Sequence, residues 1–260
     1  MSGSAHWSDL APRVISGLAM ALCGFFILWV GGWLFVLGVS LLATLMLWEA
    51  ARMYNAPNPV GPAILGGVVV CVALTFLPGM LVLPALLAVA LVAGSGVAQN
   101  RGVVFGFSAW ILLGCYAFAT FGIWLGLSGL IWLVLVVIAS DVAGYFAGRM
   151  LGGPKFWPKV SPKKTWSGTV AGWIGAALVG ACFMGPLQLG GSFILISVLV
   201  AFAGQMGDIV ESAVKRHAGV KDSSDLIPGH GGVLDRFDAM LGAGMMAGFL
   251  ALIGQFSGAS

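Results

Sequence analysis

Charge is what this 260-residue chain has least of: Asp, Glu, Lys and Arg together make up 8% of it, against 60% hydrophobic residues. So thin a polar complement excludes an ordinary water-soluble domain, and no nucleic-acid partner is expected. Cysteine is scarce as well. Cys23, Cys71, Cys115 and Cys182 each stand alone in a different apolar run with no CxxC spacing, which argues against a thiolate metal site and reads as four small buried hydrophobes. No Ser–His–Asp or HExxH pattern is present, so peptide or ester hydrolysis has no support. A single short apolar stretch ahead of a polar chain, the form of a secretory signal, is missing too, and the N-terminus is expected to stay in the finished protein.

What the sequence does have is a succession of apolar runs of roughly 20 residues, the length that crosses a hydrocarbon core. Charges, prolines and glycine pairs divide them into nine predicted spans: 13–30, 33–51, 61–77, 80–97, 103–125, 128–148, 168–186, 191–213 and 237–256. The stretch from Ser16 to Trp48 is too long for one crossing and is best folded at Gly31 and Gly32; a count of eight fits if one early span is re-entrant. The fold class is therefore all-α and polytopic. With this division all twelve basic residues fall on one side: Arg13, Arg52, Arg101, Arg149, Lys155, Lys159, Lys163, Lys164, Lys215, Arg216, Lys221 and Arg236. Cytoplasmic loops are enriched in Lys and Arg, so the N-terminus is expected inside and the C-terminus outside. Forty glycines, several at GxxxG spacing (Gly122 and Gly126, Gly168 and Gly172, Gly244 and Gly248), suit close packing of membrane helices.

Two long polar segments, 149–167 and 214–236, both face the basic side, and any chemistry belongs there. Carboxylates inside spans are costly, about 2.5 to 3.5 kcal/mol for Asp at a helix centre, and need a reason. Asp141, in DVAGYFAGR, either serves function or pairs with a basic residue for packing. Asp208 belongs to a stripe of Gln205, Asp208, Ser212 and Lys215 at helical spacing, with Glu211 to one side, suited to metal ligation or substrate contact. In KDSSDLIPGHGGVLDRFD, residues 221–238, Gly229, Gly231 and Gly232 allow a turn whose N–H groups converge on an anion. Asp235 and Asp238 follow three residues apart on one helical face. Hard cations such as Mg²⁺ favour carboxylates together with substrate phosphates, so glycine turn, basic residues and carboxylates together describe a nucleoside triphosphate with its metal. Lys163 and Lys164 fit both topological orientation and phosphate binding, Thr165 or Ser167 is placed to cap the next helix, and His6 and His217 are expected to face solvent.

From Ser212 to Asp238 the chain closely resembles the phosphatidate cytidylyltransferase (CDP-diacylglycerol synthase) family. The resemblance is carried by Ser212, Lys215 and Arg216, Lys221 and Asp222, His230 to Gly232, and Asp235, Arg236 and Asp238 in fixed register. Segments 141–149, 161–168 and 205–211 also look like family motifs, while the first 130 residues match in character only. Ser167 departs from the pattern, where many relatives carry glutamate. The resemblance implies cytidylyl transfer from CTP to phosphatidate, giving CDP-diacylglycerol and pyrophosphate, with Mg²⁺ and a second cation, by a homodimer in the bacterial inner membrane in contact with membrane lipids. It assigns catalysis to Asp208, Lys215, Arg216, Asp235 and Asp238. Substrate binding falls to Lys163, Lys164, Ser212, Lys221, His230, Gly231, Gly232 and Arg236, and metal binding to Asp141, Asp208, Asp235 and Asp238. Residues 1–134 are expected to form an N-terminal transmembrane region and 135–260 the catalytic one. Two rivals stand beside this reading: an ion-coupled transporter, since intramembrane carboxylates also mark ion pathways, and a CTP-dependent enzyme acting on another lipid phosphate or alcohol.

Overall fold

The computed structural model of the chain describes residues 10–254 and residue 256. His6 and Ser260 lie outside the described residues, as does the side chain of Arg13. Among the described residues eight helices follow in order: α1 (Leu10–Val30), α2 (Gly32–Met53), α3 (Val60–Thr75), α4 (Gly79–Ser95), α5 (Arg101–Met150), α6 (Trp166–Phe183), α7 (Ser192–His217) and α8 (Leu234–Leu252). Between α5 and α6 lies a small antiparallel hairpin, β1 (Lys155–Trp157) and β2 (Ser161–Thr165), pairing Lys155 with Thr165 and Trp157 with Ser161. Among the described residues α2, α5, α6 and α7 are long and apolar enough to cross a membrane, and Val14–Val30, α3 and α4 are shorter apolar helices.

The chain forms two compact units. One takes the described residues up to Leu112 together with His217–Phe237; the other takes Leu113–Arg216 and the described residues from Asp238 onward. In the first, a Cβ on Gly38 of α2 would meet Ile27 of α1 at 3.0 Å. Eleven residues of straight helix would separate the two by about 16 Å, so the chain doubles back at Gly31. Helices α2 and α3 touch through small residues: a Cβ on Gly67 would meet Thr44 Oγ1 and Ser40 O. Backbones this close gain dispersion contact where lipid offers no hydrophobic drive. Met46, Leu47, Val70, Leu86, Ile111 and Leu112 are buried in the core of this unit.

The second unit contains a break inside α5. Gly126 has φ 68° and ψ −163°, a left-handed, non-helical backbone that a residue with a side chain rarely adopts. Past it the chain reverses, since Leu130 packs on Gly122 within what would otherwise be about 12 Å of straight helix. Gly126 was expected to pack a helix face; instead it makes the turn between spans 103–125 and 128–148. The unit's core is aromatic: Trp132 lies 4.7 Å from Phe193 and 5.8 Å from Phe121 between ring centroids, and its Nε1 donates to Ser197 Oγ at 3.0 Å. The remaining GxxxG glycines pack as expected, Gly168 against Gly144, Gly172 against Ser140, Gly244 against Phe118 and Gly248 against Ala117. The four cysteines are unpaired; Cys115 is buried, whereas Cys23 and Cys182 lie exposed on apolar helices rather than inside.

Candidate active site

Helices α7 and α8 meet through glycine. A Cβ on Gly207 would sit 2.5 Å from Asp238 O, and one on Gly242 would strike Ala203 O. This approach sets Asp238, one turn into α8, beside Asp208 and Glu211 of α7. Each of the three offers a carboxylate oxygen, and these oxygens all lie within 4.8 Å of one another. Glu211 is fully buried and pairs with Lys215 at 2.6 Å; Asp208 pairs with Lys164 at 2.5 Å and accepts from Ser212 Oγ at 3.2 Å. Asp238 Oδ1 accepts from Ala239 N at 2.7 Å. Asp141, exposed on α5, lies within electrostatic range of Lys164 and Asp208 but is not one of the trio.

Glu211 is the residue the helical stripe left to one side. Gln205, the stripe's upper end, turns inward: it donates to Ser140 Oγ and Thr169 O and accepts from Trp173 Nε1, tying α5, α6 and α7 together. Its role is packing, and the polar path begins at Asp208. The hairpin decides between the two lysines of SPKKT, because successive strand residues point to opposite faces. Lys163 is exposed, while Lys164 turns to Asp208 and also donates to Gln205 O at 3.1 Å. Thr165 is the N-cap of α6, accepting from Gly168 N at 3.2 Å, and Ser167 donates to Gly152 O at 2.5 Å. Arg216, Lys221 and Arg236 are exposed.

In the first unit the 221–235 segment is a tight turn. Ile227 N donates to Gly231 O at 2.8 Å, and Gly231 takes φ 81°. Its N–H groups do converge on anions, but the anions are the protein's own. Gly232 N, Ser223 N and Ser223 Oγ all donate to Asp235 Oδ2, at 2.8, 2.9 and 2.8 Å. Val233 N and Leu234 N donate to the two oxygens of Glu49, at 2.8 and 2.7 Å. A Cβ on Gly232 would collide with Ser223 Oγ and Glu49. The Gly232 amide is thus bonded to Asp235, Gly231 shapes the turn, and Asp235 accepts three bonds from its own loop. Glu49 was missed altogether, although it is the single acidic residue between Asp9 and Asp141. His230, singled out by its glycine neighbours, has Nδ1 at 2.9 Å from Ser16 Oγ of α1. His217 is exposed, with Nδ1 3.1 Å from the Tyr54 hydroxyl, whose pKa burial pushes up.

Three hard carboxylates lie close enough together that they could hold a metal ion, and two lysines pair with them. Known proteins point the same way. The chain is 45% identical over 129 residues to a phosphatidate cytidylyltransferase of Helicobacter pylori (strain ATCC 700392 / 26695), covering 48% of each chain. It is 45% identical over 121 residues to that of Brucella suis biovar 1, covering 45% of this chain and 44% of the relative. With the Bacillus subtilis (strain 168) enzyme of the same name it shares 43% over 119 residues, again 45% and 44%. The chain thus spans about half the length of the curated relatives it matches. A family model described as cytidylyltransferase family matches residues 11–253, running from α1 to α8, and the chain belongs to that family.

Proposed function

We propose that the chain transfers the cytidylyl group of CTP to phosphatidate, giving CDP-diacylglycerol and pyrophosphate for phospholipid biosynthesis. The observation that carries the reading is the carboxylate trio of Asp208, Glu211 and Asp238 with Lys164 and Lys215 paired to it. The names of the relatives supply the substrates. The donor set fits Mg²⁺: three hard oxygen ligands, to which phosphate oxygens of the substrate would be added. Asp208, Glu211 and Asp238 would hold the ion, with Asp141 next to them and a second cation in the same acidic surroundings. When bound, the ion neutralises charge on the phosphoryl group being transferred.

The remaining work falls to the chain itself. An oxygen of the phosphatidate monoester attacks the α-phosphorus of CTP, the bond from that phosphorus to the bridging oxygen breaks, and pyrophosphate leaves with the electron pair. The nucleophile is already anionic near neutral pH, so a general base is not required; the task is to align and neutralise two anionic reactants. Lys164 and Lys215 move their charge from carboxylate to phosphate when substrate and metal arrive, and Ser212 holds Asp208 in place. Arg216, and on the turn of the first unit Lys221, His230 and Arg236, are assigned to substrate phosphates, as Lys163 is from the hairpin.

The setting proposed is a bacterial inner membrane, crossed nine times with the N-terminus inside and the C-terminus outside, by a homodimer. Residues 1–134 act as the transmembrane support and 135–260 as the catalytic region, with loops 149–167 and 214–236 in the cytosol. The one-sided distribution of the twelve basic residues supports this orientation. Pyrophosphate release by purified protein tests the reaction: it should require CTP and phosphatidate together. Release with other lipid phosphates in place of phosphatidate would move the assignment to a different lipid acceptor, and no release under any pairing would overturn the cytidylyl-transfer reading.

A further inference from the structure

Glu49 is a buried carboxylate, 0% exposed, near the end of an apolar helix and outside the carboxylate trio. A buried charge is costly unless it is fully hydrogen-bonded. Here it is: Oε1 accepts from Ser224 Oγ at 2.6 Å and Val233 N at 2.8 Å, and Oε2 from Leu234 N at 2.7 Å and Ser223 Oγ at 3.2 Å. All four donors belong to the 223–234 segment, more than 170 residues away in sequence. Two of them, Val233 N and Leu234 N, sit at the start of α8, where the first N–H groups of a helix have no partner within it and carry partial positive charge.

We propose that Glu49 is a positioning residue that caps α8 from α2 and clamps the 223–234 turn in the shape the reaction needs. The division of labour is clear from the acceptors. Asp235 closes the turn on itself through Ser223 and Gly232, and Glu49 fastens the closed turn to the helical support. Gly232 is the junction, since a side chain there would collide with both Ser223 and Glu49. The clamp also shapes a recess: Ser223 and Ser224 form a wall of a cleft of about 440 Å³ with Trp48, Arg52 and Asp225. Lys221 and Arg236 flank the clamped stretch and His230 lies within it, so their placement depends on it. This consequence rests on the cytidylyl-transfer reading; the clamp itself does not.

Glu49→Gln in the full-length protein is the test. The amide keeps one acceptor and turns an NH₂ toward donors that Glu49 now satisfies. Hydrogen–deuterium exchange of the detergent-purified protein should show the 232–235 amides opening about tenfold faster than in wild type, since bonds to a charged acceptor are lost, while α3 and α6 exchange as before. In the kinetic arm, KM for CTP should rise about tenfold with kcat within about threefold, and a purely structural role would lower the active fraction without moving KM. If Glu49→Gln does not fold, Ser223→Ala with Ser224→Ala carries the same two measurements. Unchanged exchange at 232–235 would overturn the clamp, and faster exchange with unchanged KM would overturn its positioning role. A wild-type protein without cytidylyl transfer would defeat the assigned reaction instead, and the exchange measurement would then decide the clamp alone.

Discussion

Asp208, Glu211 and Asp238 bring three carboxylate oxygens within 4.8 Å of one another, and substitutions there test whether they are the proposed ligands. Asp238→Asn and Glu211→Gln keep shape and remove charge. Each should lower kcat/KM by at least about 100-fold and raise the Mg²⁺ concentration needed for half-maximal rate, the scale on which preorganised electrostatic groups act. Asp235→Asn should behave differently. Its amide oxygen still accepts, so the loss is one of loop stability, about 1 to 3 kcal/mol as read by thermal unfolding, with metal dependence unchanged. Magnesium titration of the three variants checks the distinction. Asp208 was legible in the sequence as a carboxylate at polar depth, and Asp238 as one sharing a helix face with Asp235 beside the glycine turn. Glu211 was not, because a stripe drawn from Gln205 runs through Asp208 and leaves Glu211 about 60° round the helix. Gln205 in fact turns into the packing, and a stripe started at Asp208 would have included Glu211 and its Lys215 partner.

The hairpin is the element that a polar, lysine-rich stretch concealed. Composition marked 149–167 as a loop, and nothing in SPKKT alternates in hydrophobicity; the strand follows from pairing with Lys155–Trp157 and from Phe156 packing edge-on to Trp166 at 4.7 Å. The alternation it imposes turns an open choice into a testable one. Lys164→Ala removes the partner of Asp208 and should reduce kcat/KM about 100-fold, whereas Lys163→Ala, exposed on the opposite face and offering substrate phosphate a solvated charge, should reduce it only about tenfold. Steady-state kinetics with CTP varied at saturating lipid checks both. Helix positions were easier to read than the hairpin, since apolar length and glycine breaks mark them directly. The turns at Gly31 and Gly126 fall where the apolar runs were too long or were interrupted by small residues. The Glu49 clamp was hidden for a different reason: it joins residues far apart in sequence, and one glutamate at a helix end carries no local sign of its partner.

For the molecule as a whole, the one-sided distribution of basic residues supports the proposed orientation, with the basic loops in the cytosol. A reporter fused after Ser260 should read as periplasmic and one inserted near Lys159 as cytoplasmic; both on one side would overturn the nine-span orientation. The central claim is that the chain moves a cytidylyl group, and position-specific labelling of CTP tests it most directly. With purified protein, phosphatidate and Mg²⁺, label at the α-phosphorus should pass into chloroform-soluble lipid, label at the γ-phosphorus should leave in pyrophosphate, and Asp238→Asn should abolish both. The claim is contradicted if α-label stays in the aqueous phase, or if γ-label enters the lipid, which would make the chain a CTP-dependent kinase.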